Sequence, residues 1–174
     1  MDGKNSPAEA MATMGDKILA AGRKAFIHNL AGPTTRVVDL AGKALVPGLN
    51  EPHNHFGVYG IYGLRLANLQ SPPLGPVAPV SPLFCVFTAV NRITRNGEVL
   101  GPEYRLTPEE ALRAVTLDAA WQTFDESIKG SIEAGKLADF TILAENPLTA
   151  APEKIKDIKV EEVIIGGKCV YKAT

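Results

Sequence analysis

His53 and His55 are the residues of this chain whose type and spacing best suit chemistry; they follow an apolar run in the segment LVPGLNEPHNHF. Residues two apart on an extended strand project from the same face, about 7 Å apart at the backbone, so both imidazoles can converge on one metal ion. A pair of solvent-facing loop histidines has the same spacing, and His-x-His alone does not separate the two. Glu51 is the neighbouring carboxylate. Along a regular strand it lies about 13 Å from His55, too far to complete a donor set unless the strand end bends. Hydrolysis by a bound metal needs about three protein ligands, an open coordination position and a base to steer the water. The remaining histidine, His28, sits in KAFIHNLAG and reads as a surface or packing residue.

The elements that would position these residues must fit in 174 residues, 45% hydrophobic and 21% charged. That is the composition of one globular domain with a real core. A complete (β/α)8 barrel needs roughly 250 residues and is excluded. A formal charge of −1, with acidic and basic residues interspersed, gives no basic stripe for nucleic acid. The polar start, MDGKNSPAEAMATMG, lacks the apolar run of a signal peptide, and no segment holds roughly 18 apolar residues in a row for a membrane span. The expectation is a soluble, cytoplasmic protein that contacts neither nucleic acid nor membrane and takes small neutral ligands. Cys85 and Cys169 are the only cysteines, and both read as small buried residues.

Short extended runs, KILAA, RVVDL and KALVPG, alternate with turn signals over the first 50 residues, with a short helix predicted in KAFIHNLAG. Pro73, Pro76, Pro79 and Pro82 recur every third position, which favours a polyproline II ridge. Without a basic flank close by, this reads as a stiff loop before an SH3 ligand. Leu83, Val86, Phe87, Val90 and Ile93 form one stripe of a helix predicted over 83–95. Thr107 and Glu110 have capping-box spacing and Pro108 takes the first helical position, predicting a second helix over 107–123 with Leu112, Val115 and Ala119 facing a core. ADFTILA, VEEVII and KCVYK then read as strands, the last two joined by Gly166-Gly167 as a two-residue hairpin.

The histidine segment resembles the first barrel strand of the amidohydrolase superfamily, written PGFIDxHxHF: Pro47, Gly48, His53, His55 and Phe56 match, and Glu51 stands where that family has Asp. The resemblance extends through AEAMATMGDKILAAG and RVVDLAGKALVPG on one side, and through GSIEAGKLADFTILAENPL and VEEVIIGGKCVY at the other end. It is strongest to amidohydrolase family 3, the group of N-substituted formamide deformylase. It implies that His53 and His55 are metal ligands for a divalent ion, zinc foremost, and that the substrate is a small amide-type molecule cleaved at a non-peptide C–N bond.

Two middle stretches resemble parts of that family that are not adjacent: RLANLQSPPLGPV follows the first barrel strand, whereas APVSPLFCVFTAVNRITRNG follows the eighth. The resemblance therefore implies an internal deletion with a seam near 77–78. The family's further ligands, from barrel strands four to six, have no counterpart, and its catalytic aspartate aligns with Val77.

The expected fold is α+β: a composite β-sandwich built from residues 1–50 and 129–174, with 51–128 as the helical remnant of a truncated TIM (β/α)8 barrel. The expected function is that of an amidohydrolase-family metal-dependent hydrolase, inactive as this chain stands. The alternative is a non-catalytic deletion or splice product that only folds, self-associates through exposed barrel edges or binds a partner.

Overall fold

The computed structural model describes residues 7–50, 81–94 and 96–174. Strands β1 (Ala10–Met14) and β2 (Lys17–Gly22) form an antiparallel hairpin, turned by Gly15 and Asp16. Helix α1 (Lys24–His28) follows and buries only Ile27. Four further strands make an antiparallel sheet in the order β3 (Ala44–Pro47), β4 (Phe140–Leu143), β5 (Val160–Ile165) and β6 (Lys168–Lys172). Its β3–β4 pairing joins distant parts of the chain, with Leu45 opposite Ile142 and Pro47 opposite Phe140. The Lys43–Glu161 ion pair, at 2.8 Å, spans the same gap in sequence. Such non-local pairing must close a long loop before any contact repays the entropy.

The two faces of this sheet bury different partners, as the two-residue period of a strand requires. Val46 and Leu143 share one face and pack with Leu83, Val86, Val90, Leu112, Ile155 and Ile158. Leu45 and Phe140 point the other way and pack with Ile18, Met11 and Ala21 of the β1–β2 hairpin, and with Ile132 and Ala138. The hairpin is also tied to the chain just before β4. The Ile18 amide donates to the Lys136 carbonyl at 2.9 Å, and the Ala138 amide donates to the Asp16 carbonyl at 2.7 Å. Gly166 and Gly167, at φ +55° and +73°, make the tight β5–β6 turn that a Gly-Gly pair favours.

Helix α2 (Pro82–Asn91) buries Leu83, Val86 and Val90 along one stripe, as expected from the sequence. It stops earlier than expected because Arg92 turns left-handed at φ +52°. Ile93 therefore leaves the stripe, is exposed, and pairs with Val99 in an isolated bridge. Pro82 is the first residue of this helix and does not extend a polyproline ridge. Pro73, Pro76 and Pro79 lie outside the described residues.

The helix expected over 107–123 is two helices, α3 (Pro108–Ala114) and α4 (Leu117–Gln122). At the break, Thr116 leaves helical geometry and its hydroxyl donates to the Leu112 carbonyl at 2.9 Å. A hydroxyl that bonds back to the preceding turn competes with the helix ladder. Leu112, Val115 and Ala119 are nonetheless buried. The capping box is present: the Glu110 amide donates to Thr107 Oγ1, and Thr107 donates from its amide to Glu110 Oε2 at 2.8 Å.

Three further expectations are corrected. RVVDL is not a strand: Val37 and Val38 are 63% and 58% exposed, and β-branched residues without a partner strand gain nothing from extension. β2 pairs with strand β1. Cys85 and Cys169 are exposed, the first two residues from Leu83 and so off the buried stripe of α2, the second on the edge strand β6.

Candidate metal centre

His53, His55, Glu51 and Val77 lie outside the described residues. The fold does define what holds the chain on either side of them. β3 enters as a buried strand ending at Pro47, and the Gly48 amide continues the ladder by donating to the Asp139 carbonyl at 3.0 Å. Two residues later the Asn50 amide donates to the Val115 carbonyl at the end of α3, at 2.9 Å. Leu49 packs on the same core as Leu83 of α2. Leu49 and Leu83, on either side of residues 51–80, thus pack in one hydrophobic cluster.

Asp139 has a second role at this point. Its Oδ1 accepts the Gly166 amide at 2.7 Å, so one residue holds both the last rung beside the histidine segment and the β5–β6 turn. Carboxylate hydrogen bonds to amides are charge-assisted and short.

Among the described residues, no group of three or more His, Cys, Asp or Glu side chains is close enough to hold a metal ion. His28 is exposed at the end of α1, a surface histidine as expected.

One arrangement was not anticipated from sequence. Ser131 is buried, its hydroxyl donates to Glu133 Oε1 at 2.9 Å, and it accepts from Lys136 Nζ at 2.5 Å. A serine beside a lysine can act as nucleophile and base when the amine is neutral. Here Lys136 is also ion-paired with Glu133 at 3.7 Å, and the serine is shut away from solvent. The trio staples the turn ahead of β4. The only sequence signal was the polar spacing in GSIEAGK.

Titration is perturbed at the surface. The backbone and side-chain hydrogen bonds from Thr107 hold the Glu110 carboxyl below its ordinary value, and hydrogen bonds from Lys129 and Thr123 do the same for Asp125. Across β5 and β6, the Lys172 hydrogen bond lowers Glu162, and Glu162 raises Lys172. These groups serve a helix cap, a turn and a sheet edge. Glu126 carries a buried Oε2 with no hydrogen-bond partner among the described residues. Among the same residues, no helix is long and apolar enough to cross a membrane.

Comparison with known proteins places this geometry in context. The sequence profile of the amidohydrolase family matches residues 75–171, more than half of the chain. The N-substituted formamide deformylase of Arthrobacter pascens is 35% identical over 89 residues, covering 51% of this chain and 16% of that protein. An imidazolonepropionase of Pseudomonas paraeruginosa is 65% identical over 37 residues, 21% of this chain and 9% of that protein. The crystal structure of an amidohydrolase from Thermotoga maritima MSB8 aligns over 52% of this chain and 20% of its own, at 26% identity and a TM-score of 0.38. The chain spans less than a fifth of the curated relatives it matches.

Proposed function

Because this chain belongs to the amidohydrolase family, we propose that it is a partial amidohydrolase that keeps the first metal-binding strand but not the machinery for turnover. His53 and His55 bind a divalent ion, zinc foremost, weakly and with two imidazoles. The substrate class of the intact ancestor is a small amide-type molecule, cleaved at a non-peptide C–N bond; a relative named as a formamide deformylase supports this. Residues 1–50 and 129–174 make the composite β-sandwich and 51–128 the barrel remnant, a reading supported by the packing of Ile18 against Leu45 and Phe140.

The observation that carries the inactive reading is the ligand shortage. The sequence has three histidines, and the one outside the pair is exposed on α1. The position aligned with the family's catalytic aspartate is Val77, which offers no base. The test is an assay of the purified chain with added zinc against N-substituted formamides. No turnover is expected, and turnover abolished by His53→Ala would overturn the reading.

A second reading, self-association, is favoured by exposed aromatic surface: Trp121 is 63% and Phe124 86% exposed at the end of α4. Apolar surface left uncovered drives association. Light scattering tests it, and a concentration-independent monomer would count against it.

A further inference from the structure

Between α2 and α3 the chain forms a small β-hairpin. Ile93 bridges Val99, the Thr94 amide donates to the Glu98 carbonyl at 2.8 Å, and the Glu98 amide donates to Thr94 Oγ1 at 3.1 Å. Between Thr94 and Glu98, Gly97 stands at φ +84°, a left-handed position that hairpin loops favour for glycine. Asn96 and Gly97 are both exposed. A β-carbon built on Gly97 would meet nothing within 4 Å, so solvent base reaches the peptide bond between them. Asn96 is also the only asparagine of the chain that precedes a glycine.

We infer that Asn96–Gly97 is a site of spontaneous covalent modification, at which the chain deamidates through its own backbone. In the first step the Gly97 nitrogen, losing its proton to solvent base, attacks Cγ of Asn96. A C–N bond forms, the bond to Nδ2 breaks, and ammonia leaves with the proton it needs. The resulting cyclic imide is opened by water at either carbonyl, giving aspartate or isoaspartate. Glycine allows this because no side chain obstructs the approach or restricts φ and ψ. The fold works against the reaction, because the Gly97 amide donates to the Thr94 carbonyl at 3.0 Å and must leave that bond to react.

Either product places a carboxylate two residues before Glu98, and isoaspartate adds a methylene to the main chain inside the loop. The register that joins Thr94 to Glu98 cannot survive an extra backbone atom. Isoaspartate formation therefore opens the hairpin, separates Ile93 from Val99, and exposes the loop to proteases.

The test is incubation of the purified full chain at mildly alkaline pH, native and in urea, followed by peptide mapping and enzymatic isoaspartate detection. Asn96 is expected to gain one mass unit several-fold faster than Asn29, Asn50, Asn91 or Asn146, and more slowly in the native chain than in urea. Asn96→Ser should abolish the isoaspartate signal in the peptide that carries residue 96. The inference is overturned if Asn96 in the native chain reacts no faster than those other asparagines, or if the signal persists in that peptide of Asn96→Ser.

Discussion

The carbonyl oxygen of Gly15 occupies the place where a β-carbon on Gly167 would have to stand, so the turns of the first and last hairpins are in direct contact. Between them, the Gly167 amide donates to the Ala138 carbonyl at 3.0 Å, while the Ala138 amide donates to Asp16. Residues from the two ends of the sequence are thereby locked in one register.

Gly167→Ala is therefore expected to destabilise the fold by more than about 1 kcal/mol, since it adds a left-handed φ penalty to a clash with backbone. Gly135→Ala is the control: it carries a positive φ of 88° but meets nothing within 4 Å. Urea denaturation should show the larger loss at Gly167. Equal losses would mean that the turn contact contributes nothing.

Leu112 is fully buried in the cluster shared by the helices and β3, and Leu112→Ala should cost about 2–5 kcal/mol. Ile18→Val, in the cluster on the opposite face, should cost about 0.5–1.5 kcal/mol. Because Val46 and Leu45 are adjacent on β3 and join the two clusters, both variants should unfold in one cooperative transition followed by circular dichroism. Separate transitions would show that the layers are independent.

Much of this arrangement could be read from residue pattern, and the exceptions have physical causes. The Gly-Gly hairpin, the Thr107 cap and the buried stripe of α2 are local signals that the fold respects. β1 was illegible because Ala10, Met11 and Ala12 carry little β-propensity; it is a strand because the Gly15-Asp16 turn delivers it to β2. RVVDL shows the converse, with strong propensity and no partner. The division of α3 from α4 rests on one hydroxyl, that of Thr116, whose competing bond a helical period does not reveal. At the candidate site, only the anchors are visible: Gly48 and Asn50 are placed, whereas His53 and His55 lie outside the described residues.

The α3 cap gives a pH prediction. Glu110 has an ordinary carboxyl value of 4.5, lowered in the folded chain by its hydrogen bonds to Thr107. A carboxyl depressed in the folded state adds stability that is fully present above its unfolded value and is lost as pH falls through the folded one. Glu110→Gln should therefore flatten the acid-side loss of stability below about pH 4.5. Thr107→Ala should cost about 1 kcal/mol at neutral pH. Thermal melts of both variants across that range check the sign.

Trp121→Gln together with Phe124→Ser removes the largest exposed aromatic surface at the end of α4. The double variant should lower the apparent mass in light scattering at high concentration without lowering the melting temperature. An unchanged mass would place association elsewhere.

The most direct test of the central claim is a zinc titration of the purified chain by calorimetry, set beside His53→Ala, His55→Ala. The account predicts weak binding that disappears in the double variant, since two imidazoles hold the ion without a completed donor set. Binding that is unchanged in the double variant, or tight enough to demand a third protein ligand, would contradict it.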